Sequence, residues 1–227
     1  MKKLLLPILF IILLPLTYSC GSSRVAGYML NENDAASAIR QLLESGVRDN
    51  ALTGAFSKET IMSTLFPAPI KNVLNTLNTL GLTNEIDRFT TTLSTASEKA
   101  ASASVPIFIS SINNMKFNDA MRIIKNGGTS ATDYLRASTG DSIRRSIRPI
   151  MEAAINEYKL NDQWDNITKP AKAIAGNKLN LDLGNLMSGV VAETMFRKIA
   201  EKETQVRSNA TARTTPLMQK VFSKNWN

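Results

Sequence analysis

The stretch from Asp182 to Ile199, DLGNLMSGVVAETMFRKI, decides the class of fold. Its large apolar side chains recur every three or four residues, which is the spacing of one face of an α-helix and differs from the alternation of a β-strand. The apolar positions on this face are Leu183, Leu186, Met187, Val190, Phe196 and Ile199. Asp182 stands directly before the first of them and is a residue type that caps helix N-termini. The stretch therefore predicts a helix that buries one face.

The same spacing continues towards the N-terminus. We predict that Asp34, Ser57 and Thr83 cap three helices. Pro69 suits the first turn of another helix, and Gly81 suits the position just after its end. The apolar faces of these helices are Ala35, Ile39, Leu42, Leu43, Gly46 and Val47, then Ile61 and Leu65, then Ile70, Val73, Leu74, Leu77 and Leu80, and then Ile86, Phe89, Leu93, Ala96, Ala100 and Ala103.

Helical spacing also covers the middle of the chain. Pro106 is predicted to kink or restart the chain, because proline disfavours helical backbone in the residue before it. Asn118 is the predicted cap of a short helix that ends at Asn126-Gly127-Gly128. Thr129 and Thr139 are further N-cap candidates.

Two more helices complete the pattern, one near Gln163 to Ala175 and a last short one that opens at Thr215-Pro216. No run of four or more residues between turn signals alternates convincingly between apolar and polar, and we find no repeat of fixed period. The sequence therefore predicts an all-α fold, a single compact multi-helix bundle of about eight to ten helices behind an N-terminal signal peptide.

The first residues are typical of an export signal. Met1-Lys2-Lys3 is positively charged, and the apolar run from Leu4 to Leu16 falls short of the roughly 20 residues that a membrane-spanning helix needs. The following LTYSCG, residues 16–21, resembles a lipobox, with Thr17 where an aliphatic residue is usual. We predict that residues 1–19 are a lipoprotein signal peptide and that Cys20 is acylated with diacylglycerol and palmitate. The alternative is an ordinary signal peptide cut nearby.

The leader defines the predicted organisation of the chain. Residues 20–33 are polar and aperiodic, and we predict that they form a flexible tether that reaches roughly 20 Å. Residues 34–227 form the helical domain. Gly21-Ser22-Ser23 carries no Asp directly after Cys20 and no acidic run. The absence of Asp after Cys20 favours sorting to the outer membrane. The absence of an acidic run, which would resemble a surface-export signal, favours a position that faces the periplasm.

Composition excludes several classes of chemistry. The chain has no His, and Cys20 is its only Cys, so His-dependent catalysis, disulfides and the common metal ligands are excluded. No metal or cofactor is expected. Loss of Lys2 and Lys3 with the leader reduces the 27 basic residues to 25 against 19 acidic ones, a formal charge of +6. This charge indicates anionic lipid headgroups or an acidic envelope protein as partners, and export argues against nucleic acid.

Two segments, residues 129–139 and 201–215, concentrate polar side chains. With two carboxylates from elsewhere they provide the candidate cluster of Glu98, Asp119, Thr132, Tyr134, Arg136, Glu203, Arg207 and Arg213. One interpretation is that both segments are helix ends rich in capping residues, with Glu203 and Arg207 spaced for an ion pair on one helix. The other is an anion or polar-headgroup site built from Arg136, Arg207 and Arg213.

Several short stretches resemble the bacterial domain of unknown function 4197 family. They are Phe66-Pro67-Ala68-Pro69, Leu80-Gly81-Leu82, Ala96-Ser97-Glu98-Lys99-Ala100, Val105-Pro106-Ile107-Phe108, Asn118-Asp119-Ala120, residues 131–136, Arg148-Pro149-Ile150 and residues 203–222. The chain departs from the family at Ser94-Thr95, where an Asn-Arg pair is usual, and at Leu135, where Phe is usual. The resemblance implies an all-helical envelope protein and supplies no catalytic residues.

These observations favour a non-catalytic, periplasm-facing lipoprotein that binds an envelope partner or has a structural role. One alternative is a hydrolase or lyase that uses Glu98 or Asp119 with Tyr134 and an arginine, because a buried carboxylate can act as a general acid or base. Another alternative is a carrier of lipids or other hydrophobic ligands with a cavity between helices.

Overall fold

The structure, a computed structural model, describes residues 29–49, 54–62, 68–175, 182–224 and 226, without the side chains of residues 69, 70 and 170–175. The predicted leader, Cys20 and the tether up to residue 28 lie outside the described residues. Within the described part, the regular secondary structure is helical and contains no strand, which confirms the all-α prediction. No described helix combines the length and the apolar character that crossing a membrane requires.

Nine α-helices follow one another along the described residues. They are α1 (Glu32–Arg48), α2 (Lys58–Thr60), α3 (Ala68–Thr79), α4 (Thr83–Asn114), α5 (Ala120–Asn126), α6 (Ser130–Glu157), α7 (Leu160–Ala175), α8 (Leu183–Ser208) and α9 (Pro216–Phe222). A 3₁₀ turn, Ala210–Ala212, connects α8 to α9. The number of helices agrees with the prediction, and three of them, α4, α6 and α8, are long.

The core lies where α6 and α8 pack against each other, with α1 and α4 on their flanks. Phe108 from α4 meets Phe196 from α8 edge to face, with ring centroids 5.2 Å apart. A Cβ atom at Gly46 would lie 3.0 Å from the Cα of Ile199, so glycine lets α1 approach the backbone of α8. Of the small side chains predicted for the apolar face of α4, Ala96 and Ala100 are buried, which allows close contact between helices there, whereas Ala103 is exposed.

Several predicted helix ends are confirmed. Ser57, Asp182 and Thr215 each accept a hydrogen bond from a backbone N–H in the first turn of α2, α8 and α9. Gly81 has a φ of 88° after the end of α3. The N–H of Leu82 there donates to the carbonyl of Leu77, which is the Schellman arrangement that a glycine favours.

Three predicted caps are wrong. The N-cap of α1 is Asn31, whose side chain accepts from the N–H of Asp34, the residue predicted for that role. The N-cap of α5 is Asp119 and not Asn118. At α4, Leu82 holds the cap position without a side-chain bond, and Thr83 is the first helical residue. The apolar pattern shows where a buried face begins, but the helix can start up to a turn earlier, as in α1, or a residue later, as in α5.

The predicted restart at Pro106 and the predicted helix start at Thr139 are also wrong. α4 continues through Pro106, and α6 continues through Thr139. Proline removes one backbone donor, and a long helix that packs on its neighbours tolerates that loss. The hydroxyl of Thr139 donates to the carbonyl of Leu135 and is therefore satisfied inside the helix. Leu80, assigned to an apolar face, is 57% exposed because it follows the last residue of α3.

Candidate functional site

Glu203 of α8 is fully buried and holds the N-terminus of α6. One carboxylate oxygen accepts from the N–H of Ala131 at 3.0 Å, and the other accepts from the N–H of Thr132 at 2.8 Å and its hydroxyl at 2.7 Å. A helix N-terminus has unpaired N–H groups and a positive dipole end, both of which favour an anion. The anion bound there is therefore part of the protein itself.

Arg207, one turn further along α8, holds Glu203 and the end of α5. Its Nη2 and Nε donate to Glu203 at 2.8 and 3.0 Å. Its Nη1 donates to the carbonyl of Ile124 at 3.1 Å, and its Nη2 also contacts the carbonyl of Ile123. The guanidinium also lies 5.3 Å from the ring centroid of Phe222 in α9. Its Nη2 also lies 3.3 Å from the hydroxyl of Ser130 in α6, so Arg207 connects four helices, and its side chain remains 14% exposed.

The exposed edge of Arg207 lies in a cleft of about 320 Å³ that we call the basic cleft. The end of α5 and the turn before α6 form one wall, and the end of α9 with the residues after it forms the other. The lining residues are Ile124, Lys125, Asn126, Gly127, Gly128, Arg207, Val221, Phe222, Lys224 and Trp226. Three of them are cations, and none is a carboxylate.

The charges of the basic cleft are only partly neutralised. Arg207 is paired with Glu203, but neither Lys125 nor Lys224 has a carboxylate within ion-pair distance among the described residues. The ammonium of Lys224 lies 5.6 Å from the ring centroid of Trp226. The indole N–H of Trp226 donates to the carbonyl of Val221 at 2.7 Å, which fixes the ring at the wall of the cleft. The cleft is therefore suited to an anionic group.

The structure brings together Thr132, Glu203 and Arg207 from the sequence-predicted cluster, and Arg213 lies beside them. Arg213 donates to the carbonyls of Val206 and Arg207 at 2.9 and 3.0 Å, and so caps the end of α8. The first interpretation, helix ends with capping residues, describes these contacts. Of the three arginines proposed for an anion site, only Arg207 lines the basic cleft.

The other members of the cluster have separate partners. Arg136 pairs with Asp133 and Glu193 and lies 5.1 Å from the centroid of the Phe196 ring. The phenol of Tyr134 donates to the carbonyl of Lys116 at 2.8 Å.

The remaining two carboxylates of the cluster lie on other helices. Asp119 caps α5 and pairs with Arg122, and Glu98 is half-buried on α4. No hydrogen bond or ion pair in the described part of the chain joins any two of Glu98, Asp119, Tyr134 and Arg136.

A second cleft, of about 530 Å³, lies near the other end of α6 and is acidic. It is lined by Glu152, Ile155, Asn156, Asn161, Trp164, Asp165, Asp182, Leu183 and Gly184. Arg148, at its edge, donates to Glu152 at 2.7 Å and to Asp182 at 3.1 Å. The hydrogen bond to Glu152 and the charge of Asp182 raise the pKa of Arg148. Among the described residues, no three or more acidic side chains, in this cleft or elsewhere, are arranged so that they could hold a metal ion.

Sequence reasoning missed Lys125, Lys224 and Trp226. Lys125 lies in the last turn of α5. A basic residue there is explained by its favourable interaction with the negative end of the helix dipole, so the sequence gives no sign of a binding role. Lys224 and Trp226 follow α9, far away in sequence. Only tertiary packing brings these helix ends to one cleft, so no local pattern could have found them.

The family model described as "Protein of unknown function (DUF4197)" matches residues 29–223. The match covers every described helix. No curated protein and no solved structure significantly matches the chain.

Proposed function

The chain belongs to the DUF4197 family of proteins of unknown function, and we propose that it is a non-catalytic, lipid-anchored envelope protein that binds a phosphate-bearing group in the basic cleft. The observation that carries the proposal is the convergence of Lys125, Arg207 and Lys224 on a space of about 320 Å³ without a lining carboxylate. That volume is at the lower end of the range for small-molecule sites, which starts at about 300 Å³.

The donors of the cleft suit a phosphate. The two lysines have compact charges on flexible stems, which bind phosphate as point charges. The contacts of Arg207 within the protein account for four of its five N–H groups, and one hydrogen on Nη1 has no acceptor among the described residues. Arg207 can therefore donate to a ligand without release of Glu203.

A titration with pyrophosphate tests this site. We expect binding to the purified chain by isothermal titration calorimetry, and the affinity should fall about tenfold or more when Lys125→Ala is combined with Lys224→Ala. Arg145→Ala with Lys169→Ala removes the same charge from exposed positions outside the cleft and should leave binding unchanged. The proposal fails if the wild-type chain binds no pyrophosphate, or if both double variants weaken binding equally.

The anchor is the second part of the proposal, and it is supported by the leader sequence and by the absence of any other Cys. We infer that Cys20 carries the lipid and that the domain faces the periplasm from the outer membrane. Metabolic labelling with a palmitate analogue should mark the wild-type chain and leave Cys20→Ala unlabelled. Equal labelling of both chains, or recovery of wild-type chain from the soluble fraction alone, would contradict the anchor.

The alternative of a hydrophobic-ligand carrier has one feature in its favour. An apolar groove of about 390 Å³ lies between α4 and α6, with Ala103, Pro149 and Ile150 among its lining residues. A carrier of this kind should retain a lipid through purification in a form that native mass spectrometry detects. A spectrum that shows only the bare chain mass would count against this alternative and would leave the phosphate proposal untouched.

A further inference from the structure

We propose that the phosphate bound in the basic cleft belongs to the anionic lipid surface that anchors the chain, so that this end of the domain docks on its own membrane. The proposal rests on the proposed function and adds the source of the phosphate and the orientation of the domain. It is carried by three observations: the position of the cleft relative to the start of α1, the side chains around the cleft, and the distribution of charge along α6.

The start of α1 lies close to the basic cleft. Glu32, the first residue of α1, accepts hydrogen bonds from the N–H groups of Ala120 and Met121 at the start of α5. α5 has seven residues, so its two ends are about 10 Å apart. Its far end carries Lys125, which lines the cleft. The chain that leads from Cys20 therefore joins the domain about 10 Å from the cleft.

The length of that connection limits the distance between the cleft and the bilayer. Eleven residues separate Cys20 from Glu32. Such a segment spans roughly 20 Å as a random coil and at most about 40 Å when fully extended. A lipid on Cys20 would therefore keep the cleft within reach of the headgroups.

The side chains around the cleft suit a lipid surface better than a dissolved anion. Trp226, whose indole has an apolar body and a polar N–H, is of the type enriched where hydrocarbon meets water. Met29, which lies where the chain from Cys20 joins the domain and not in the cleft itself, is 85% exposed. Lys125 and Lys224 add charge, and each basic residue near an anionic bilayer strengthens binding by roughly fivefold.

The clefts at the two ends of α6 differ in the charge of their lining residues. Lys125 and Lys224 lie at its N-terminal end, whereas the acidic cleft with Glu152 and Asp182 lies about 33 Å further along the helix. An anionic surface attracts the lysines of the basic cleft, which have no carboxylate partner, more strongly than the acidic cleft, where Arg148 already pairs with Glu152 and Asp182. The field of the bilayer and the position of the anchor therefore favour the same orientation.

The two tryptophans provide a direct test. Trp164 is buried against Phe89, whereas Trp226 lies in the basic cleft, so acyl-chain quenching should report on Trp226. The full chain is purified and reconstituted in vesicles that contain brominated phosphatidylglycerol or only brominated phosphatidylcholine. We expect quenching in the anionic vesicles that disappears in Trp226→Phe and is much weaker in the neutral vesicles.

Two double variants and a competitor complete the experiment. Lys125→Ala with Lys224→Ala should abolish the additional quenching in anionic vesicles, and Arg145→Ala with Lys169→Ala should retain it. Quenching of Trp226→Phe equal to that of the wild type would overturn docking. If the same preparation still binds pyrophosphate, the proposed function stands and only the lipid source is wrong. If neither probe binds, both proposals fail.

Discussion

Two polar clusters at opposite ends of α6 have nearly the same chemistry and different surroundings. The buried cluster consists of Glu203, Arg207 and Thr132, and the exposed cluster consists of Arg148, Glu152 and Asp182. In each, an arginine pairs with a carboxylate four residues away on the same helix, and a carboxylate caps a helix N-terminus. From the sequence alone, the two ion pairs differ only in the order of their charges.

Burial separates the two clusters. The carboxylate of Glu203 is withdrawn from water and receives five hydrogen bonds from protein donors. The desolvation of a buried charge is costly, and a complete set of partners is needed to offset it. The side chains of Arg148 and Glu152 are about half exposed, so water competes for every bond between them. The hydrogen bonds of Glu203 therefore maintain the fold, whereas the ion pair between Arg148 and Glu152 contributes little to stability.

The largest expected effect is that of Glu203→Ala. It leaves Arg207 and the first N–H groups of α6 buried without an anion, and should lower the free energy of unfolding by about 3–5 kcal/mol. Glu152→Ala, the matched truncation in the exposed cluster, should cost only a small fraction of that. Chemical denaturation of both variants measures the difference, and equal losses would show that burial does not distinguish the clusters.

Arg207→Lys should have the next largest effect. Lysine keeps the charge but cannot reach Glu203 and the carbonyls of Ile123 and Ile124 together, as the planar guanidinium does. We expect a loss of about 1–3 kcal/mol in the free energy of unfolding. The same exchange at Arg148 should leave the unfolding midpoint nearly unchanged. Wild-type stability in Arg207→Lys would mean that charge alone, without the fork geometry, maintains the buried cluster.

Asp182 allows the cap and the ion pair of the exposed cluster to be separated. Asp182→Ala removes the acceptor for the N–H of Asn185 and should cost about 1 kcal/mol. Asp182→Asn keeps that acceptor and weakens only the contact with Arg148, so it should resemble the wild type in thermal and chemical denaturation. If asparagine is as destabilising as alanine, the ion pair contributes more than the cap.

Most of the fold could be predicted because its signals are local. The apolar spacing of α1, α4 and α8 identifies their buried faces, and residues such as Ser57 and Gly81 mark helix ends. One error occurred where the same side chain can serve in two kinds of position. Thr139 has the chemistry of a cap, but within α6 its hydroxyl bonds to the preceding turn.

The site was less predictable than the fold. The density of polar residues singled out Thr132, Glu203 and Arg207, which the structure places in contact, but spacing does not reveal whether a polar group faces water or the core. Lys125 and Lys224 share a cleft only because α5 and α9 pack around Arg207. That two residues distant in sequence meet in one cleft depends on tertiary packing, which no local sequence pattern predicts.

The smallest expected effect concerns a third ion pair, between Lys99 of α4 and Glu157 of α6, whose side chains are both 53% exposed. The hydrogen bond from Lys99 to Glu157 raises the pKa of Lys99, and the charge of Glu157 adds to the shift. A raised pKa in the folded state means that the stabilisation is complete below the unfolded value of about 10.4 and is lost as the pH rises through the folded value. The difference in unfolding midpoint between wild type and Lys99→Met should therefore be small at neutral pH, decrease with salt, and vanish in strong alkali. The ammonium of Lys99 lies 5.9 Å from the ring centroid of Tyr158. A difference in unfolding midpoint that persists in strong alkali would therefore come from packing of the lysine stem over this ring. It would show that even an exposed ion pair can stabilise the fold through apolar contact.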